Sequence, residues 1–190
     1  MQRALLIVLE PNAEVIFHAD SYAYRRGRSV KMALDKTRER IRIGQDWLVD
    51  ADISQFFDNI PLNALQKKLK AFVKDSDTLN LMDKWLKQGV HSSSLFGTSR
   101  GISQGAVLSP LLCNLYMNEF DQAMADAHIP FVRFADDFLL FANDESKAQK
   151  ALVFAGKKLA QMGLELHPTK TRVVRSHRKV IFLGEPLPDR

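Results

Sequence analysis

Apolar residues recur at helical spacing over the first 43 positions, and then the period changes. Met1 to Val15 reads as a helix with Ala4, Leu5, Val8 and Leu9 on one face, although no capping residue opens it, as though it continued a longer chain. A basic loop from Ser21 to Arg28 leads to Ser29, whose hydroxyl suits an N-cap. Val30 to Ile43 then predicts an amphipathic helix that packs through Val30, Met32, Ala33, Leu34, Thr37 and Ile41. Trp47 to Ile53 alternates instead, as a strand does. Val49, Ala51 and Ile53 point one way and Asp50 and Asp52 the other, so one face is core and the other is free for chemistry.

Further along, Pro61 suits the first turn of a helix running to about Val73, Ser76 suits the cap of a second, and Gly89 its end. His91 to Gly105, rich in Ser and Gly, predicts a loop. Pro110 to about Ala127 predicts a long helix with Leu111, Leu112, Leu115, Tyr116 and Phe120 at helical spacing. Phe131 to Phe134 and Phe138 to Phe141 are short apolar strands joined through Ala135-Asp136-Asp137, a hairpin with carboxylates at its tip. Glu145 to Met162 predicts a helix stopped by Gly163. Leu164 to Leu166, Arg172 to Val174 and Val180 to Leu183 are strand candidates, interrupted by His167-Pro168-Thr169-Lys170. The order of elements predicts an α+β fold, a split βαβ antiparallel sheet backed by helices.

With 190 residues, 46% of them hydrophobic and 26% charged, the chain can bury one sizeable core. Its net charge is +5, and the basic residues gather toward the two ends: Arg25, Arg26, Arg28 and Lys31, then Lys170, Arg172, Arg175, Arg178 and Lys179. That layout suits a polyanion lying across an acidic centre, although charge alone reads equally well as a solvated surface. The single cysteine, Cys113, sits in an apolar stretch; it excludes an intrachain disulfide and a Cys-rich zinc site and predicts a cytoplasmic protein. Ala4 to Leu9 and Phe138 to Ala142, the longest apolar runs, fall far short of the roughly 20 residues that span a bilayer, so no membrane partner is expected. His18, His91, His128, His167 and His177 show no ligand spacing.

Carboxylates at the ends of apolar strands repel one another and call for a compensating cation. Asp52 and Asp136, from two separate strands, are the first candidates as ligands, Asp137 is the third, and Asp50 is supporting. An oxygen-only donor set favours a hard ion such as magnesium. Two such ions, roughly 3.5–4 Å apart, let one activate a primer 3′-hydroxyl and the other hold a triphosphate. A lone Asp-Asp or Gln-Gly reads most simply as turn chemistry. The order Asp52, Gln104-Gly105, Asp136-Asp137 is what sets that simple reading aside.

The segments Leu48-Val49-Asp50-Ala51-Asp52-Ile53-Ser54-Gln55-Phe56-Phe57-Asp58-Asn59-Ile60, Gly101-Ile102-Ser103-Gln104-Gly105-Ala106-Val107-Leu108-Ser109-Pro110 and Val132-Arg133-Phe134-Ala135-Asp136-Asp137-Phe138 resemble the consecutive palm motifs of reverse transcriptases. They are most similar to the bacterial group II intron lineage. Ser21-Tyr22-Ala23-Tyr24-Arg25-Arg26-Gly27-Arg28-Ser29, Gly163-Leu164-Glu165-Leu166-His167-Pro168-Thr169-Lys170-Thr171 and Phe182-Leu183-Gly184 extend the resemblance over nearly the whole chain.

The resemblance implies an RNA-directed DNA polymerase that needs an RNA template, a DNA or RNA primer, dNTPs and two Mg2+ ions, for which Mn2+ can substitute. Asp52, Asp136 and Asp137 become the metal-binding triad. Phe57, five positions after Asp52, becomes the ring that collides with a ribose 2′-hydroxyl. Gln104 and Gly105 approach the nascent pair or template, Lys170 serves the leaving pyrophosphate, Arg25 and Arg28 contact triphosphate or template, and Phe182-Leu183-Gly184 forms a primer-grip hairpin. Phe134 replaces the commoner tyrosine and Ser103 the commoner proline.

The implied architecture is a polymerase palm over residues 46–190 with partial fingers over 1–45 and no thumb. The basic fingers segment that ordinarily precedes Gln2-Arg3-Ala4-Leu5 is absent, and six residues follow Gly184, as in a fragment or a truncated form. Missing fingers or thumb would come from a partner. Two settings compete: intron mobility, and a CRISPR-associated enzyme linked to the spacer-integration protein (the CRISPR integrase), which copies RNA for spacer capture in antiviral defence. The ending Gly184-Glu185-Pro186-Leu187-Pro188 lacks the usual intron continuation and tilts toward the second. An RNA-dependent RNA polymerase is disfavoured by Phe57. From another class, a truncated palm that only binds RNA or a partner is the alternative.

Overall fold

The computed structural model describes residues 1–88, 92–93, 99–103, 105–177 and 179–189. Two helices come first, α1 (Gln2–Ile16) and α2 (Val30–Arg42). The second opens on Ser29, whose Oγ accepts the Met32 amide at 3.2 Å. Strand β1 (Trp47–Asp52) leads through the short α3 (Phe56–Asn59) into α4 (Leu62–Phe72) and α5 (Ser76–Gln88). Two expected helix starts shift by one residue. Pro61 is the N-cap of α4 rather than part of its first turn, and its carbonyl accepts the Leu65 amide at 3.0 Å. Asp75 caps α5 in place of Ser76, because its carboxylate is already one residue ahead and accepts the Thr78 amide at 2.8 Å.

Strands β2 (Ser92–Ser93) and β3 (Ser99–Arg100) form a small antiparallel pair inside the stretch expected to be loop, while Gly89 and His91 lie outside the described residues. Helix α6 (Ser109–Asp126), strands β4 (Phe131–Phe134) and β5 (Asp137–Ala142), helix α7 (Glu145–Gln161), strand β6 (Arg172–Arg175) and a terminal hairpin of β7 (Ile181–Phe182) and β8 (Glu185–Pro186) complete the chain. In that hairpin Leu183 (φ 51°) and Gly184 (φ 82°) are both left-handed, the conformation a tight two-residue turn needs. Strand β8 has no alternating pattern and escaped the sequence reading. The expected strand at Leu164 to Leu166 is only a bridge: Leu166 faces Ile53, the Ser54 amide reaches Glu165 O at 2.9 Å and the His167 amide reaches Asp52 O at 2.8 Å. Pairing stops there because the chain leaves β1 for α3.

The main sheet has the order β4-β5-β1-β6, and every neighbouring pair is antiparallel. On one face Val49, Ala51, Phe138 and Leu140 pack under α6 and α7, and the rings of Phe120 and Phe138 lie 5.1 Å apart. On the other, Leu48, Val132, Leu139 and Phe141 are covered by Ala33, Leu34 and Ile41 of α2 and by Val180, Phe182 and Leu187. Helix α1 joins the first of these cores through Leu9 and Ala13. Gly163, at φ 73°, ends α7 where an added Cβ would stand 2.7 Å from Pro61 Cγ, so both conformation and space demand glycine. Among the described residues no helix is long and apolar enough to cross a membrane.

Candidate active site

The second face of the sheet is covered at one end only. Leu48, Asp50 and Asp52 share that face of β1; Leu48 lies under α2, and the two aspartates continue past its edge. Register does the rest. Leu48 pairs with Phe141, Asp50 with Leu139 and Asp52 with Asp137, so Asp137 shares the face and stands directly across from Asp52. Asp137 is the first residue of β5, and the hairpin turn proper is Ala135-Asp136, with Phe134 opposite Asp137. Ala135 is left-handed (φ 62°), which lets a two-residue turn reverse the chain and brings Asp136 beside the other two.

An open groove of about 560 Å³ lies here, lined by Asp50, Asp52, Asp136 and Asp137 and by Lys170 and Arg172. Arg172 pairs with Asp50 in the β1–β6 register and its Nε donates to Asp50 Oδ2 at 2.9 Å. Lys170 Nζ donates to Asp52 Oδ2 at 2.7 Å. Burial pushes the Asp137 carboxyl up to about 7, and the charges of Asp50, Asp52 and Asp136 add to the shift. Burial likewise raises Asp136, with Asp52 adding to it, and raises Asp50, where Arg172 works against it. The hydrogen bond to Asp52 raises Lys170. A bound cation would compensate the crowding of these carboxylates.

The donor set fits a hard divalent ion: all four carboxylates are oxygen donors, with no histidine or cysteine on the groove wall. Among the described residues, however, no three acidic, histidine or cysteine side chains already stand as a ligand cluster. Asp52 is turned to Lys170 through Oδ2.

Among the described residues, Phe57, Gly105, Arg25 and Arg28 do not line the groove. Phe57 is half-buried and meets the ring of Phe56 edge-on, 5.5 Å away, while Phe56 is the core aromatic of the pair. The Phe57 carbonyl accepts the Ile102 amide at 2.9 Å, and Gly101 (φ 90°) lies so close that an added Cβ would come 3.2 Å from Asp58 O. This ties the Gly101–Ser103 segment to the turn after β1. Gly105 is exposed and left-handed (φ 86°); Gln104 lies outside the described residues. Arg28 lays its guanidinium over the Tyr22 ring, 5.5 Å from the centroid.

Arg25, expected to contact triphosphate or template, is directed into the fold. It is 7% exposed, its Nε and Nη2 hold the Glu14 carboxylate at 2.8–3.1 Å, and its Nη1 donates to the carbonyls of His18 and Ser21, both at 2.6 Å. Glu14, on α1, has drawn it into the fold. Phe182 is buried in the second core, and its neighbour Ile181 reaches the groove wall, so the terminal hairpin borders the site.

Sequence reasoning passed over Arg172 as a site residue. Its spacing was the available signal: two positions after Lys170 and at the start of a strand, it extends the same wall of the groove.

A family model for reverse transcriptase (RNA-dependent DNA polymerase) matches residues 1–187. Protein YkfC of Escherichia coli K12 is 29% identical over 231 residues, covering 98% of this chain and 60% of its own length. The group II intron-encoded protein LtrA of Lactococcus lactis subsp. cremoris is 36% identical over 134 residues, 70% of this chain and 22% of that protein. The chain thus spans less than two thirds of either relative's length, 60% of the first and 22% of the second. In fold it is similar to the apo telomerase of Candida tropicalis, with a TM-score of 0.71 at 14% identity over 98% of this chain and 44% of that one. Telomerase from Candida albicans, solved with a fragment of telomeric RNA, gives 0.68 at 16% identity over 95% of this chain and 36% of that one. With the sheet, the opposed aspartates and the family model in agreement along almost its full length, the chain belongs to the reverse transcriptase (RNA-dependent DNA polymerase) family.

Proposed function

We propose that this chain is the palm, with part of the fingers over residues 1–45, of an RNA-directed DNA polymerase that adds deoxynucleotides to a primer 3′ end on an RNA template. The observation that carries the reading is the meeting of Asp52 and Asp137 across β1 and β5, with Asp136 on the adjoining turn and Lys170 and Arg172 beside them. Asp52, Asp136 and Asp137 are the residues that would hold magnesium. Two magnesium ions, when bound, supply activation of the 3′-hydroxyl and charge compensation on the triphosphate.

The chain's own groups orient and neutralise. Lys170 is placed to leave Asp52 for an incoming phosphate and to give a proton to, or offset the charge of, departing pyrophosphate. Arg172 keeps Asp50 neutralised so that it does not compete for the same cation. Phe57 is proposed as the ring that excludes a ribose 2′-hydroxyl, Gln104 and Gly105 as the approach to the template, and Arg28 as a phosphate contact. The family to which the chain belongs, and a relative described as group II intron-encoded, support intron mobility as the setting ahead of CRISPR spacer capture from RNA. A cytoplasmic location accompanies either.

A second reading has one observation in its favour: Asp52 is engaged by Lys170, as would suit a palm that binds RNA without catalysis. Primer extension on an RNA template with dNTPs and magnesium, comparing the chain, its Asp136→Ala variant and a version carrying further flanking sequence, separates the two. Extension lost with Asp136→Ala supports the polymerase. RNA binding without extension in every form, indifferent to metal and to the substitution, overturns it.

A further inference from the structure

The turn that carries Asp136 is held from behind by a buried guanidinium. Arg133, on β4, alternates with Val132 and Phe134, so its side chain leaves the sheet on the α6 side, away from the groove. It is 1% exposed, and each of its five N–H groups meets an acceptor. Nε donates to Asp121 Oδ1 at 2.7 Å; Nη2 donates to Asp121 Oδ2 at 2.6 Å and to Ser21 Oγ at 2.7 Å. Nη1 donates to Asn114 Oδ1 at 3.2 Å and to the carbonyl of Ala135 at 2.9 Å.

The last of these bonds is the informative one. The Ala135 carbonyl belongs to the peptide that leads into Asp136, and Ala135 itself is left-handed at φ 62°, a conformation that a residue with a Cβ keeps only when its surroundings impose it. Stability by itself gives little reason for such a group, since a buried ion pair is commonly matched or bettered by apolar residues of equal volume. The network also reaches the 20–23 segment. The Arg133 amide donates to Asp20 O and its carbonyl accepts the Tyr22 amide, both at 2.9 Å, while Asn114 Nδ2 donates to Ala23 O at 2.8 Å. One side chain therefore ties the acidic turn to α6 and to the basic loop after α1.

We propose that Arg133 is a positioning residue for the carboxylate site: it holds the Ala135–Asp136 peptide in the orientation that turns Asp136 into the groove. This rests on the polymerase reading for its consequence in activity, but not for its effect on metal binding. Lysine cannot substitute, having three donors for five acceptors.

The test uses the whole chain in two forms. In Arg133→Met with Asp121→Leu both charges are removed together, so that neither is left buried alone; Arg133→Lys keeps the charge opposite Asp121. Thermal melting, Mn2+ binding by electron paramagnetic resonance and primer extension are measured on each. The expected result is a melting temperature close to the parent's, with Mn2+ affinity and kcat each reduced about 10- to 100-fold, the range typical when a residue that orients metal ligands is lost, and KM for primer and template unchanged. A folded variant that binds Mn2+ and extends primers as the parent does overturns the proposal. If the apolar pair does not fold, Arg133→Lys decides on the same criteria. A parent chain that binds Mn2+ but extends nothing removes the polymerase reading alone, and the Mn2+ comparison still decides the role of Arg133. A parent that binds no Mn2+ overturns both.

Discussion

Lys170 places its ammonium 2.7 Å from Asp52 Oδ2, across 118 positions of sequence. On the proposed reading this lysine is a competitor of any metal that Asp52 would hold, as well as a candidate proton donor. The two roles predict opposite effects of one substitution. Lys170→Ala should bind Mn2+ at least as tightly as the parent, while extension slows about 100-fold, the lower part of the range for loss of a general acid. Equilibrium Mn2+ titration beside single-turnover extension checks this, and a parallel fall in both would mean that Lys170 instead orders Asp52.

Asp137 gives a pH dependence with a definite sign. Its carboxyl titrates near 3.8 when unfolded and about 7 in the fold, so between those values the folded chain retains a proton that the unfolded chain has lost. The stability this group contributes is complete below pH 4, is lost progressively as pH rises to about 7, and changes no further above it. Melting curves of the metal-free chain and of Asp137→Asn between pH 5 and 8 should therefore diverge, the variant gaining on the parent as pH rises. A difference that does not vary with pH would refute the buried, charge-crowded carboxyl.

Asp136→Ala should reduce extension by about 10³ or more, the scale expected when metal-based stabilisation of the transition state is lost. The fold should survive, because the substitution relieves repulsion within the acidic groove. Circular dichroism and single-turnover extension together test this; retained extension would remove the residue from the site.

Phe57→Ala should admit ribonucleotides. The ring is half-buried against Phe56, so truncation opens space without emptying the core. Competition between dNTPs and rNTPs in one extension reaction measures the selectivity, and an unchanged ratio would take sugar discrimination away from this residue.

Arg25 and Arg28 should separate in their effects. Arg25→Ala is expected to cost about 2 kcal/mol of stability, since it deletes charged hydrogen bonds to Glu14 and two carbonyl contacts. Arg28→Ala should leave melting nearly unchanged and instead weaken RNA binding and flatten its dependence on salt. Paired melting and salt-titrated binding experiments distinguish them, and a stable Arg25→Ala with weakened nucleotide binding would restore Arg25 to a substrate role.

Local pattern carried much of this architecture. The alternation of Val49, Asp50, Ala51 and Asp52 assigned core and chemical faces to β1 before any partner strand was known, because strand periodicity is a property of the backbone alone. The Ser29 cap, the long α6 and the short hairpin ahead of Phe138 were legible for the same reason: each is decided within a few residues. Tertiary structure decided whom each charge meets. The register that sets Asp52 against Asp137, the reach of Lys170 to Asp52, the capture of Arg25 by Glu14 and the five acceptors gathered around Arg133 all depend on the meeting of elements distant in sequence. A long charged side chain has no preferred partner until packing fixes which acceptors share its pocket. The sequence therefore determined that acidic groups would gather on one open face, and only the fold determined that Lys170 meets Asp52 and Arg172 meets Asp50.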